Sequence, residues 1–364
     1  MNAESRRIDP VVLIGTGLVG ASIGIRLTNA GLRVHLRDRV RSHAVVAAGL
    51  GAGVLDEPTD ELVRLVIVAT PPDSLAAVVT KALARYPNAV VTDVGSVKAS
   101  VLAALGGVDS GRYVGSHPMA GSQFSGPLTA AGDLFEDRTW VITPRPENPV
   151  EAVEAVRGLA HICGARVVEM PPDVHDQAVA QVSHLPHLMS ILTAAHLRVV
   201  PREHLHLAGQ GIRDVTRIAG SDPGLWRQIL GANTHAVRTE LEGVKADLDE
   251  LLGLLDSPIE LEEFLSRGLA GARSLPGKHG QHRREFAQVV VEIPDEPNAL
   301  GRLFTEIGDL GVNVEDIHIT HDDTRQIGFL SIDVAQEHAG RLAADLVERG
   351  WRVRNPPQEG PWHP

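Results

Sequence analysis

The stretch Val11–Asp38, VVLIGTGLVGASIGIRLTNAGLRVHLRD, decides the fold. It opens with a short β-branched and apolar run, Val11–Ile14, that reads as a strand. The G-x-G-x-x-G pattern follows at Gly15, Gly17 and Gly20, and Ala21–Asn29 has helical character with Gly31 as a C-cap. Leu32–Leu36 reads as the next strand, ending at the acid Asp38. That strand–turn–helix–strand context is what a dinucleotide fingerprint requires. Gly15 permits the tight turn, Gly17 lets backbone approach a pyrophosphate, and Gly20 lets helix pack on strand. Thr16, Leu18 and Val19 complete the turn, and the helix N-terminus supplies amides and partial positive charge to phosphates. Asp38 is placed to accept hydrogen bonds from a ribose, which favours NAD over NADP. Arg37 and Arg39 flank it and would instead suit a 2′-phosphate, but the carboxylate between them would repel that group.

The same alternation continues downstream. Leu65–Ala69 is a continuous apolar run suited to a buried parallel strand, broken by Thr70-Pro71-Pro72 before a helix. Ala89–Thr92 is another strand, and Asp93–Lys98 (DVGSVK) turns into a helix. Tyr113–Gly126, YVGSHPMAGSQFSG, puts His117 at a strand end before a run of small and hydroxyl residues. Thr139–Ile142 and Arg166–Glu169 are strands flanking a helix over Val150–Cys163. Alternating strands and helices predict an α/β, doubly wound, mainly parallel sheet of the Rossmann type over residues 1–171. Pro171-Pro172 marks its end. From residue 172 to 273 strand signals vanish and helical periodicity predicts an all-helical domain. Ser274–Gly280 is a linker by composition. Residues 284–356 then read β-α-β-β-α-β, the order of a ferredoxin-like α+β domain.

Bulk properties narrow the function classes. A length of 364 residues predicts two or three domains, and a net charge of −12 argues against nonspecific nucleic-acid or anionic-membrane partners. A single cysteine, Cys163, excludes an internal disulfide framework and fits a reducing compartment. The polar N-terminus carries no secretory apolar region, and no apolar run is long enough to span a bilayer. The expectation is a cytoplasmic chain.

Several residues outside the fingerprint carry candidate chemistry. Ser96 lies at a strand's carboxyl end, where a hydroxyl points into the ligand crevice of such sheets; it equally suits a helix N-cap. His175-Asp176 opens the segment leading to Ser183-His184-Leu185-Pro186-His187. His184 and His187, three apart, would share a helix face, although Pro186 implies a break or a first turn there. No nearby cysteine and no H-E-x-x-H pattern completes a metal site, so none is expected. Arg217, within Gly211–Trp226 (GIRDVTRIAGSDPGLW), offers a guanidinium fork to a carboxylate, or a structural ion pair to Asp214 or Asp222. Trp226 suits packing or a pocket wall. Leu241, Val244, Leu248, Leu251 and Leu255 recur at helical spacing as a core or interface stripe.

Together HPMAG at His117, SHLPH at Ser183, the fingerprint, ATPP, DVGSVK and the Arg217 segment resemble the prephenate dehydrogenase family over most of Val11–Leu255. That family oxidatively decarboxylates prephenate or arogenate on the way to tyrosine. The resemblance implies NAD as cofactor, bound by Gly15, Thr16, Gly17, Leu18, Val19, Gly20, Asp38, Arg39, Thr70 and Pro71. It implies His117 as proton acceptor and Ser96 as the group orienting it and the substrate hydroxyl. His187, Arg217, Ser183 and Gln123 would contact the substrate, and the helical region would form a homodimer. Gln123 stands where the family often has Glu, and a neutral side chain there favours prephenate over the ammonium-bearing arogenate. Two other classes fit parts of the pattern: another Rossmann dehydrogenase with a helical second domain, and a noncatalytic amino-acid-sensing NAD-binding protein.

The phrase Asp295-Glu296-Pro297-Asn298-Ala299-Leu300 resembles the ligand loop of ACT domains, which bind amino acids. On that resemblance Asp295, Pro297, Asn298 and Leu300 are regulatory candidates, with tyrosine as effector. The family usually has glycine where this chain has Asn298. Asparagine tolerates left-handed backbone better than other non-glycine residues, so the turn is expected to survive.

Overall fold

The computed structural model describes residues 8–120, 126–275, 286–294, 296–322 and 327–354. Gln123 and Asp295, and the linker from Pro276 onward, lie outside them. The chain divides into two compact units, Met1–Leu255 and Asp256–Pro364.

The first unit begins β1 (Val11–Ile14), α1 (Leu18–Asn29), β2 (Val34–Arg37), α2 (Arg41–Gly49), β3 (Leu65–Val68), α3 (Pro72–Arg85), β4 (Val90–Asp93), α4 (Ala99–Ala104) and β5 (Tyr113–Pro118). It continues β6 (Thr139–Thr143), α5 (Val150–Ile162) and β7 (Arg166–Glu169). The strands form one sheet in the order β2-β1-β3-β4-β5-β6-β7. Every pairing is parallel except β5 with β6, which aligns His117 with Val141. Among the described residues only a 3₁₀ turn (Pro127–Thr129) lies between β5 and β6, and a connection without a crossover leaves neighbouring strands antiparallel. The continuous apolar runs are explained by burial on both faces. Val11, Leu13, Leu65 and Ile67 pack under α1 and α5, while Val12, Val66 and Val68 pack under α3 and α4. In this unit the predicted strand limits hold to within two residues. Helix α2 had no counterpart in the sequence reading.

β1 has β2 on one side and β3 on the other, so the chain reverses its direction of travel across the sheet there. In open α/β sheets ligands bind in the crevice outside the strand ends at such a point. The loops that meet in this crevice are Gly15–Gly17 and Ala69–Pro71.

Residues 172–255 are helical: α6 (Pro172–Val179), a π-helical turn (Ala180–His184), α7 (Leu185–His196), α8 (Arg202–Leu205), α9 (Gln210–Thr216), a 3₁₀ turn (Arg217–Gly220), α10 (Pro223–Ala232) and α11 (Thr234–Leu254). Pro186, lacking an N–H, sits in the first turn of α7, and the preceding residues are wound wider. Along α11 only Val237 is buried. Leu248 and Leu255 of the predicted stripe are exposed, as is Leu252 beside them, so that face is not core within one chain.

The second unit carries α12 (Pro258–Arg273) and then β8 (Phe286–Pro294), α13 (Ala299–Asp309), β9 (Asp316–Asp322), β10 (Ile327–Ala335), α14 (Gln336–Glu348) and β11 (Arg352–Arg354). Its sheet is antiparallel in the order β11-β8-β10-β9, the connectivity of the ferredoxin-like fold. Val289, Val291, Leu303, Leu330, Ile332, Leu342 and Leu346 fill its own core. Asn298 adopts the left-handed conformation, φ 66°, at the N-cap of α13.

Candidate active site

The glycine turn is fixed by sterics. Gly15 has φ +98°, and a Cβ there would collide with the Ala69 carbonyl; one at Gly20 would collide with the carbonyl of Gly15. These two residues are glycine because backbone from the loop after β3 and from the turn itself fills the space. Gly17 is different, for its Cβ would meet nothing within 4 Å. Open space over a backbone at the start of the twelve-residue α1 is what a pyrophosphate needs. Asp38 Oδ2 accepts from the Thr16 amide at 2.7 Å and from its hydroxyl at 2.8 Å, and Oδ1 accepts from the Val40 amide at 2.8 Å. Thr16 is therefore buried and clips the turn to the end of β2, and Asp38 keeps Oδ1 capacity for a ribose hydroxyl. Arg37 is drawn away from a 2′-phosphate position by the carbonyls of Leu36 (2.7 Å) and Asp56 (3.0 Å) and by Glu57 (2.7 Å). Arg39 is exposed. Thr70 Oγ1 is buried without a protein partner in the facing loop, beside Pro71. These features fit a dinucleotide.

The second part of the site is a chain of hydrogen bonds from the sheet into the helical region. His117 lies inside β5 rather than in the loop after it, so the strand holds its ring. Its Nδ1 is 2.9 Å from His175 Nε2, and His175 Nδ1 is 2.8 Å from Asp176 Oδ1. Asp176 also accepts from the amides of Lys98 and Ala99, both at 2.8 Å, at the start of α4. Asn233 donates to the Asp176 carbonyl at 2.7 Å and lies 3.3 Å from His184 Nδ1. Beneath this chain, fully buried Lys98 is ion-paired with Asp93 and donates to the Ser116 carbonyl at 2.7 Å. Tyr113 donates to the other oxygen of Asp93 at 2.8 Å. Burial holds the His117 ring well below its usual range, reinforced by His175, Lys98 and His184. Burial likewise brings His184 down to about 4.

Ser96 is half-buried at the carboxyl end of β4, beside β5. Its hydroxyl is not used as a helix cap, because the Asp176 carboxylate takes the first amides of α4. In the helical region the His187 ring stacks on Trp226, with centroids 3.5 Å apart, and His184 meets the same indole edge-on at 6.0 Å. His187 Nε2 and Ser190 Oγ are buried without protein partners. Ser183 is in the π turn that carries His184. Arg217 opens the 3₁₀ turn that packs on α7 and is exposed. Its two sequence-based ion-pair partners are engaged elsewhere: Asp214 accepts from Gln210 at 2.9 Å, and Asp222 caps α10 at 2.6 Å.

The structure thus joins His117 to His184 through three residues that the sequence reading gave no role: His175, Asp176 and Asn233. Asp93 was passed over in the same way, and Lys98, which the sequence alone suits to a solvated helix position, is instead fully buried. Among the described residues no group of three or more His, Cys, Asp or Glu side chains is arranged to hold a metal ion. In the second unit, Pro297 and Leu300 flank left-handed Asn298, whose amide side chain lies over Gly301 in the first turn of α13.

A dinucleotide crevice at the switch point of a doubly wound sheet, with a half-buried histidine at the end of a nearby strand, defines a dehydrogenase. Residues 23–169 match the family model for the prephenate dehydrogenase nucleotide-binding domain, and residues 171–267 match that for the prephenate dehydrogenase dimerization domain. The protein named probable prephenate dehydrogenase NovF of Streptomyces niveus is 34% identical over 355 residues, covering 93% of this chain and 98% of that one. Prephenate dehydrogenase of Bacillus subtilis is 30% identical, over 93% of this chain and 96% of its own. The crystal structure of prephenate dehydrogenase from A. aeolicus in complex with hydroxyphenyl propionate and NAD+ superimposes with a TM-score of 0.64 at 28% identity. It covers 72% of this chain and 96% of that one. The chain belongs to the prephenate dehydrogenase family.

Proposed function

We propose that the chain is an NAD-dependent prephenate dehydrogenase, converting prephenate to 4-hydroxyphenylpyruvate and carbon dioxide in tyrosine biosynthesis. The observation that carries this is His117: half-buried, kept neutral by its surroundings, and tied through Nδ1 so that Nε2 remains for a substrate. NAD, when bound, supplies the hydride acceptor. His117 Nε2 takes up the hydrogen bond of the C4 hydroxyl as hydride leaves C4, drawing the proton toward itself while the C–O bond gains double-bond character. Loss of the ring carboxylate as carbon dioxide returns an electron pair to the ring, the proton goes back to oxygen, and the product is a phenol. A base so positioned contributes roughly 10²–10⁴ to the rate. Ser96, whose hydroxyl is not spent on a cap, orients the same C4 hydroxyl. His187, through its unpartnered Nε2, and Arg217 hold the substrate's carboxylates, with Ser183 and Gln123 lining the pocket and Trp226 backing His187.

The domain limits that go with this reading are 1–171 for the nucleotide, 172–273 for substrate and dimer contacts, and 284–356 for an ACT-like regulatory module. A homodimer is supported by the dimerization-domain match and by the uncovered leucines of α11. Among the described residues no helix is long and apolar enough to cross a membrane; with the lone buried Cys163 this supports a cytoplasmic enzyme. Tyrosine feedback through Asp295, Pro297, Asn298 and Leu300 is supported by the left-handed turn at Asn298. The deciding experiment follows NADH absorbance with prephenate and arogenate, each crossed with NAD and NADP. Prephenate with NAD should give the highest kcat/KM. No turnover of either substrate would leave the sensing role.

A further inference from the structure

We propose that His175 and Asp176 are positioning residues that hold His117 in the one tautomer whose Nε2 is free to take the substrate's proton. The proposal rests on the reading of His117 as the base. An ionised carboxylate only accepts hydrogen bonds, so Asp176 Oδ1, at 2.8 Å, requires the proton of His175 to sit on Nδ1. A neutral imidazole has one N–H, which leaves His175 Nε2 as an acceptor. The group 2.9 Å from it is His117 Nδ1, which must then donate. His117 is left protonated at Nδ1 and bare at Nε2. The end of the chain is itself fixed, because the amides of Lys98 and Ala99 anchor the Asp176 carboxylate. His175 is fully buried, so its ring is held in place by these partners.

The titratable and charged groups facing His117 come from three elements. They are the buried pair of Asp93, at the end of β4, and Lys98, just before α4, then His175 and Asp176 on α6, and His184 on the π turn. None of them but His175 makes a hydrogen bond to its ring. Both members of the dyad act through His117 and need no contact with substrate or cofactor.

The test uses the full chain labelled with ¹⁵N at histidine. Ring ¹⁵N–¹H correlation spectra, with His117 assigned by its loss in His117→Asn, report which nitrogen carries the proton. The expected result is a protonated Nδ1 and a bare Nε2 at neutral pH. A bare Nδ1 on His117, or two protons on His175, would overturn the proposal, and this holds whether or not prephenate is the substrate. Turnover gives the second readout. His175→Asn keeps an amide near Asp176 but does not reach His117, and should lower kcat by roughly 10²-fold. It should also shift the pH profile of kcat while NAD affinity holds. His175→Gln, whose carbonyl can accept from His117 Nδ1, should recover most of that loss. Equal losses in both variants with an unmoved pH profile would make the dyad structural and sink the idea. If the wild-type spectrum is as expected but prephenate is not turned over, the substrate reading fails and the tautomer assignment stands.

Discussion

The glycine turn and the histidine chain lie in the same unit and are built on opposite principles. The turn's own glycines and its clip to Asp38 lie within 24 residues of sequence, and with the Ala69 carbonyl they leave no room for a side chain at Gly15 or Gly20. The chain draws His117, His175, Asp176, His184 and Asn233 from β5, α6, the π turn and the start of α11, and it is held by hydrogen bonds near 3 Å. Steric sites fail abruptly and hydrogen-bonded sites fail by degrees. Substitutions in each should therefore differ in kind.

The largest effect is expected at Gly20. Gly20→Val drives a branched side chain into the Gly15 carbonyl and should cost at least the upper end of the roughly 1–3 kcal/mol typical of overpacking, with nucleotide binding lost. Gly17→Ala sharpens the contrast, because its Cβ meets no protein atom. It should leave Tm unchanged and weaken NAD, read by a thermal melt and a nucleotide titration. A Gly17→Ala protein that loses stability would mean the open space is not a ligand cradle.

His117→Asn comes next. It should keep NAD affinity while lowering kcat by about 10²–10⁴, since only the proton acceptor is lost. Near-normal kcat would remove His117 from the chemistry and leave the hydrogen-bond chain as architecture.

The third effect is a pH dependence of stability that belongs to the histidine region. His184 is held near 4 in the fold against about 6.5 unfolded. Between those values the unfolded chain binds the extra proton, so stability is unaffected above about pH 6.5 and falls as pH drops toward 4. The displacement is worth on the order of 3 kcal/mol. Thermal melts of wild type and His184→Asn across that range should converge at acid pH. Parallel curves would show that His184 titrates normally.

The smallest effect is at Asp38. Asp38→Asn keeps an acceptor for Thr16 and loses the charge that favours a ribose hydroxyl over a phosphate. NAD should weaken by about 1.5 kcal/mol, roughly tenfold, with NADP changing less. An unmoved NAD-to-NADP ratio would mean that Asp38 serves the turn alone.

Legibility in the sequence followed the same division. Strands β1 and β3 were readable because burial on both faces demands unbroken apolar runs, and the crevice because glycine is irreplaceable where backbones touch. The left-handed turn at Asn298 was readable for a similar local reason. Helix α2 was missed, having only Ala44 and Ala47 buried and hence no strong apolar face. His175 and Asp176 were passed over because nothing local marks them: a histidine beside an aspartate in a helix suits a solvated surface equally well. Only the approach of α6 to β5 makes them partners of His117. Ser96 shows the converse, since its sequence suits a helix cap and a residue 80 positions away fills that role instead.

Asp176 stands four residues beyond Pro172, where the sheet domain has ended, yet its carboxylate binds the start of α4 and, through His175, the ring on β5. In evolutionary terms this makes the catalytic apparatus poorly portable. Recombination at the natural seam would transplant the dinucleotide crevice whole, because every atom that shapes it lies upstream. The same cut would carry His117 away from the two residues that orient it, and an incoming helical partner would have to supply them anew. A change of substrate reached by exchanging the second domain would thus pass through an intermediate that still binds nucleotide but has an undirected base.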